Sequence, residues 1–526
     1  MASDNLTQSL LWAITSSAGS FDRVALLQAI AGLQLLPDNA AHLVRLELLG
    51  NVLACGVEDL SGDDITVGEL SRLLNHGPIA RRAITKMEDP WENPWCEEVA
   101  FIGGSYRFFP GRVNECGFVF RHIVRSLFGA NPPLDSTLLE NIAPVVLGTL
   151  AVSEALAGRV KASRADTLSD AYTTDIVVPH VDHLRSLMDA VTFTEPELAS
   201  LLQSYNLSVD VLKPVMLERF AAHMPPTLDD GTLFERPFLH HDDLFIVAAP
   251  HRLLDAINRY LLQEIINSHK TNAFLSSFLM SVGASIEFSL RILSNTPQMM
   301  RRIHPRRVPY GIEALCNLDA DKVLCVLAAV DDLTETGDPR AWATLPATAE
   351  RLRERAKTIE RHLHHRHPNL ELLFLFIFQG IGRSGQISIH DLPDGSYIAV
   401  TSAADLETIA ILSPQDRIAL WSCTKTIEEI RKQADVISWS LLSNFYIWKQ
   451  QRGLLEAALH EQAVLFVPIS TIGEARQEAH RAWDRHAALY PNGQHVEVYH
   501  LYDDPTVPVY GIVEDGVSVA MERKWQ

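Results

Sequence analysis

Apolar residues recur at helical spacing through the first part of the chain. Leu6 to Ser17, Phe21 to Leu36 before Pro37, and Ala40 to Leu53 each predict a helix. After Glu88-Asp89-Pro90 the period changes: Glu98 to Ile102 and Ser105 to Phe109 flank Gly103-Gly104, which predicts a hairpin. Helical spacing resumes at Asn114 to Phe128 and Leu138 to Leu156. The middle of the chain predicts a short strand at Ile176 to Val178, helices at Thr194 to Ser204 and Val209 to Ala222, and a second hairpin around residues 237–248. A long helical tract from Arg252 to Leu293 follows, and a charged helix, Ala347 to His365, is stopped by Pro368.

From residue 370 the pattern turns to strands. Leu372 to Phe378 is an unbroken apolar run, Gln386 to His390 alternates, Pro393-Asp394-Gly395 is a tight turn, and Tyr397 to Val400 is a return strand. Ser402-Ala403-Ala404-Asp405 and Ser413-Pro414 have the chemistry of helix starts. A strand at Ala463 to Val467, a helix at Gly473 to Leu489, a turn at Pro491-Asn492-Gly493 and strands at 495–502, 507–513 and 517–523 complete the chain, with no internal repeat. The expected fold class is α+β and multidomain, mostly helical through about residue 365 and then more strand-rich. The expected segments are 1–160, a helical domain with its hairpin near 98–109; 161–368, an α-rich middle domain with its hairpin near 237–248; and 369–526, a mixed α/β domain.

Composition narrows the class. At 526 residues the chain exceeds the size of a single core, and 47% hydrophobic with 21% charged residues describes a folded protein. Met1-Ala2-Ser3-Asp4-Asn5 lacks the basic start of an export or mitochondrial signal, so the expected compartment is the cytoplasm. The most lipid-like stretch, Thr271 to Ile286, is shorter than the roughly 20 residues of a span and carries several serines, which predicts a buried helix and no membrane association. Cysteines at 55, 96, 116, 316, 325 and 423 form no Cys-x-x-Cys pair and are expected as free thiols.

A net charge of -20 repels nucleic acid overall, so any such partner needs a local basic face. Arg301, Arg302, Arg306 and Arg307, around His304 and before Tyr310, supply one. Guanidinium groups bind phosphate in bidentate fashion, and the same groups also serve to offset the chain's own acids.

Candidate catalytic groups are fewer. Gly380-Ile381-Gly382-Arg383-Ser384-Gly385 spells a dinucleotide-binding pattern, but that chemistry needs a helix opening at the last glycine. A strand-like alternation follows instead, so the glycines are expected to serve a strand connection and no dinucleotide is expected.

Near the C-terminus, Asp515-Gly516 leads into Val517-Ser518-Val519-Ala520-Met521-Glu522-Arg523-Lys524. Residues two apart on a strand share a face, so Glu522 and Lys524 can meet Asp503, Asp504 or Asp515. Two carboxylates hold Mg²⁺, and the ammonium stabilises phosphorane-like charge or orients water. The triplet resembles the Asp…Glu-x-Lys signature of restriction-endonuclease-like nucleases. That resemblance implies a Mg²⁺-dependent nuclease or phosphodiesterase, with Glu522, Lys524 and Asp515 catalytic and Asp503 and Asp504 on the metal. It also implies a helix and a further strand after the lysine, whereas the sequence stops at Gln526. The competing reading is an edge hairpin with a polar face.

Val178-Pro179-His180-Val181-Asp182-His183 resembles the His-x-His-x-Asp-His metal loop of metallo-β-lactamase-fold hydrolases, with valine where the first histidine belongs. A helix start with Asp182 in its first turn competes. His362-Leu363-His364-His365-Arg366-His367 offers imidazoles for a transition metal or, before Pro368, a basic helix end. Asp331-Asp332 follows the apolar run Val323 to Val330, either a strand with a Mg²⁺-binding end or a helix with an acidic turn. There is no Gly-x-x-x-x-Gly-Lys-Ser/Thr, Gly-x-Ser-x-Gly or His-Glu-x-x-His. The leading expectation is a non-catalytic scaffold or interaction subunit that engages a protein or nucleic-acid partner through helical faces and the Arg301 to Arg307 patch; the rival is the C-terminal nuclease site.

Overall fold

The structure, a computed structural model, describes residues 21–36, 39, 42–54, 65–76, 97–109, 116–128, 134–162, 176–218, 232–293, 298–302, 310–317, 322–330, 345–379, 397–410, 419–426, 436–437, 441, 445, 448–449, 465–466, 494–500, 508–514 and 517–523. The fold is α+β, in two compact units: residues 1–120 with 135–267, and residues 121–134 with 268–526. Strands on either side of Pro368 are ladder neighbours, and the helix it stops is the crossover that parallel neighbours require.

In the first unit, α1 (Arg23–Gln34) starts where the Ala25 N–H donates to the Asp22 carboxylate at 2.7 Å. It packs with α2 (Leu43–Ala54) and α3 (Val67–His76), the latter opened by reciprocal Thr66 and Glu69 contacts. The hairpin β1 (Glu97–Phe101) and β2 (Gly104–Phe108) forms as expected. Its tip holds Ile102 at φ 43° and Gly103 at φ 75°, with Ile102 59% exposed. Then come α4 (Cys116–Phe128), divided between the units at residue 120, and α5 (Ser136–Ala162). Among the described residues, Ser136–Val160 is the one helix long and apolar enough by composition to cross a membrane, and 61% of that stretch is buried within the protein.

The unit continues with α6 (Val181–Val191), β3 (Thr192–Thr194), α7 (Glu195–Gln203), β4 (Met216–Leu217), α8 (Thr232–Glu235), β5 (Phe238–His241), β6 (Leu244–Val247) and α9 (Leu253–Asn267). The sheet order is β3-β6-β5-β4. One apolar cluster gathers Leu26, Leu49, Leu70 and Ile246, and another gathers Val152, Leu187, Leu202 and Val247. α1 and α6 approach closely at Gly32, where a Cβ would stand 3.0 Å from the Leu187 backbone.

Two buried devices tie distant segments of this unit together. Arg252 donates to Glu47 through Nε at 3.1 Å and Nη2 at 2.8 Å, and its guanidinium lies over the Phe234 ring at 4.3 Å. The side chains are 6% and 0% exposed, so each ion needs the other. The expected strand at Ile176 to Val178 has no ladder neighbour among the described residues; asparagine amides hold Ile176 and Val177. Asn75 accepts from the Ile176 N–H at 2.8 Å and donates to its carbonyl at 2.9 Å, and Asn39 does the same for Val177 at 2.7 and 2.9 Å.

Two helical expectations are corrected. The start of the helix expected at Val209 to Ala222 is a 3₁₀ segment, Val209–Val215, followed by β4, because Pro214 removes a donor and crowds the preceding turn; residues 219–222 lie outside the described residues. The tract from Arg252 to Leu293 breaks between α9 and the next helix at His269, which takes φ 57°.

In the second unit α10 (Thr271–Leu293) buries Phe274, Phe278, Val282 and Leu290, the expected buried helix. It precedes β7 (Gln298–Arg302), β8 (Tyr310–Asn317), β9 (Lys322–Val330), α11 (Leu345–Arg366), β10 (Glu371–Gln379), β11 (Tyr397–Thr401) and α12 (Ala403–Ala410). These strands form one sheet in the order β11-β10-β9-β8-β7, antiparallel from β7 to β9 and parallel from β9 to β11. The run before Asp331-Asp332 is thus a strand. On one face Cys325, Leu327, Phe374 and Phe376 pack with Ala356 and Ile359 of α11. Ser402 accepts from the Asp405 N–H at 3.0 Å and starts α12. Arg121, on the part of α4 in this unit, pairs with Glu407 of α12 at 2.9 Å, and Ser285 of α10 also bonds Glu407.

The short parallel pair β12 (Val436–Ile437) and β13 (Leu465–Phe466) and the meander β14 (Gln494–His500), β15 (Pro508–Glu514) and β16 (Val517–Arg523) complete the unit. The helices expected at Leu6–Ser17 and Gly473–Leu489, the strand at 386–390 and the helix start at Ser413 lie outside the described residues.

Candidate functional site

The second unit's sheet stops at β7, which has a ladder neighbour on one side only among the described residues. A register shift between Met299 and Arg301 puts a bulge in this strand, the device by which exposed edges are twisted out of further pairing. Beyond the bulge, Arg301 pairs with Glu313 and Arg302 with Ile312.

The register extends both pairings across the whole sheet. Arg301 begins the row Arg301, Glu313, Leu327, Phe376, Val400. Arg302 begins the row Arg302, Ile312, Ala328, Ile377, Thr401. In register an acid, Glu313, stands across the strand pair from Arg301, whereas the Arg302 row holds no acid. Successive residues alternate faces, so the two arginines occupy opposite faces and share only the edge. Arg306 and Arg307 lie outside the described residues.

At the C-terminal meander, Glu522 stands in a row with Tyr510 and Glu497. β14 ends at His500 and β15 begins at Pro508 on the side of the meander where Glu522 and Arg523 lie. That joins the segment containing Asp503 and Asp504 to Glu522's end. The β15–β16 turn follows the Glu514–Val517 pair, and five residues of strand (517 to 522) at about 3.3 Å each put it ~17 Å from Glu522. The Glu514–Val517 pair is therefore at the far end of β16 from Glu522. Asp503, Asp504, Asp515 and Lys524 themselves lie outside the described residues.

A strand followed by a helix and a further strand, the frame the nuclease resemblance implies, occurs at β9, α11 and β10. There β9 reads Val323 to Ala328, buried and apolar, with no Glu-x-Lys. The frame and the motif occupy different parts of the chain.

The remaining candidates settle into local roles. His180 and Asp182 approach at 3.5 Å, both 80% exposed, at the start of α6, as the helix-start reading requires. At the end of α11, His364 Nε2 donates to the Leu370 carbonyl at 3.0 Å. Gly380 to Gly385 and Asp331-Asp332 lie outside the described residues, directly after the Gln379–Val330 pair of parallel strands. Among the described residues no group of three His, Cys, Asp or Glu side chains can hold a metal. Cys116, Cys316, Cys325 and Cys423 are buried free thiols, and burial pushes the Cys325 thiol up to about 12, with Cys316 and Glu360 adding to the rise.

Sequence reasoning missed Glu313. A lone acid in an apolar strand gives no signal until the register places it opposite Arg301.

No curated protein and no solved structure matches the chain. The family described as Upx-like, anti-phage protein Upx-like, matches residues 3–511, nearly the full length; the chain belongs to the Upx-like anti-phage protein family.

Proposed function

We propose that the chain acts in anti-phage defence, in the cytoplasm, as an interaction protein that docks an anionic partner on the β7 edge of its five-stranded sheet. The observation that carries this reading is the position of Arg301 and Arg302 on an edge strand with no second ladder neighbour among the described residues. An edge strand is where a partner can reach the backbone of a sheet, and this one carries two of the four arginines of the Arg301 to Arg307 cluster. The family's description as anti-phage supports the defence setting. The test is the plating efficiency of phages on cells making the wild type or the Arg301→Glu/Arg302→Glu double variant at equal soluble level. Protection is expected from the wild type and lost with the variant; equal protection overturns the reading.

A second reading keeps the Mg²⁺-dependent nuclease. What favours it is that the Asp503–Asp504 segment enters the meander at Glu522's end. In that reading Asp503 or Asp504 and Glu522 hold the ion and Lys524 stabilises charge developing on phosphate. Cleavage of labelled DNA and RNA with Mg²⁺ or Mn²⁺, lost in a folded Lys524→Ala variant, would support it. Equal background in both proteins discards it.

A further inference from the structure

Independently of the β7 edge, we infer that the exposed end of α11 binds single-stranded nucleic acid, with Arg361 and Arg366 on phosphates and His362 and His365 stacked on bases. The end of the helix and the residue after it expose Arg361, His362, His365, Arg366 and His367. No acid occurs between residues 361 and 370. The acids before and after are committed elsewhere: Glu350 pairs with Arg353 at 2.8 Å, Glu354 with Lys357 at 2.7 Å and Glu371 with Lys425 at 3.1 Å, while Glu360 lies close enough to the sheet to act on the Cys325 thiol. Arg361 Nε donates to the Lys357 carbonyl at 3.2 Å. The side chains of His362, His365, Arg366 and His367 make no hydrogen bond or ion pair among the described residues. The side chain that ties this helix end to the following loop is His364, on the Leu370 carbonyl at 3.0 Å, and the five exposed ones take no part in it.

Residues four apart on a helix are neighbours, so Arg361 stands beside His365 and His362 beside Arg366. Two guanidinium groups flanking the imidazoles disfavour a metal cation between them and favour an anion. Each row offers a fork for phosphate oxygens and a flat ring for a base face, and an unpaired strand presents both groups together. An acidic peptide offers carboxylates but no flat face, and leaves the rings unused. Lysine would serve such a peptide as a point charge, and residues 358–370 contain none.

The experiment measures binding of the full chain to labelled thymidine and uridine oligonucleotides, and to a duplex of equal length, across a salt series. On a single strand each phosphate neutralised contributes about 0.7 to the slope of log K against log salt, so Arg361→Ala/Arg366→Ala is expected to flatten it by about 1.4. Arg361→Lys/Arg366→Lys is expected to keep the slope, which separates charge from folding. His362→Ala/His365→Ala is expected to weaken binding roughly tenfold, and His362→Phe/His365→Phe to restore it, because phenylalanine keeps a stacking face without charge. No binding at low salt, an unchanged slope in the arginine-to-alanine variant, no rescue by phenylalanine, or tighter binding of the duplex overturns the inference. Binding of polyglutamate but of neither oligonucleotide moves the surface to an acidic protein partner and also overturns it.

Discussion

Arg252 and Arg302 hold different places in their units, one in a buried ion pair and the other on the strand at one end of a sheet's ladder among the described residues. Arg252 in the first unit meets Glu47 at 2.8 Å, stacks on Phe234 and has Asp255 at 3.5 Å. Arg302 in the second unit begins a row of apolar residues on the last strand of a sheet. The first charge is spent on joining α2 to the start of α9. The second stands on a strand with one ladder neighbour among the described residues. In an acidic chain with no convergent metal ligands among its described residues, that difference directs attention to the edge.

Removing one partner of the buried pair tests the first half of the comparison most severely. Glu47→Ala leaves Arg252 charged in the core and is expected to cost ~3–5 kcal/mol in urea unfolding, whereas replacing both ions with methionine is expected to be far milder. A cost below about 1 kcal/mol for the single variant would mean that the pair does not hold the unit together. Asn39→Ala strips the Val177 N–H and carbonyl of their buried partners, an expected loss of about 1–3 kcal/mol by the same measurement.

A smaller effect of opposite sign is expected at the hairpin tip. A β-branched residue at φ 43° is strained by about 1 kcal/mol, and Asn-Gly is the favoured pair for such a turn. Ile102→Asn is therefore expected to raise the thermal midpoint; a fall would show that Ile102 makes a stabilising contact.

The smallest effect is on acid stability. Burial pushes the Glu154 carboxyl up, but hydrogen bonds and charge from Arg107 outweigh it and hold the group below 4.5. A carboxyl lowered in the folded state stabilises above its unfolded value and loses that contribution as pH falls through the folded one. Stability is expected to decline below about pH 4.5, and less steeply in Glu154→Gln, as followed by unfolding midpoints across pH.

Much of the fold is written locally. α1 shows its apolar stripe and Asp22 cap, β1–β2 shows its glycine turn, and α12 opens at Ser402. The failures have physical causes. β9 is buried on both faces and loses the alternation of period two, so Ala328-Ala329 suited helix as well as strand. His269 breaks a helix without glycine or proline to announce it. The candidate site was half legible: the arginine cluster is visible as composition, but its place on an edge and Glu313 opposite Arg301 depend on pairing between distant segments. The same holds at the C-terminus, where strand order joins the Asp503–Asp504 segment to Glu522 and sets the Glu514–Val517 pair apart from it.

The most direct test of the central claim compares phage plating on cells making the wild type or the Arg301→Glu/Arg302→Glu double variant at equal soluble levels. The account expects the wild type to protect and the double variant to lose protection. Equal protection by both would contradict it.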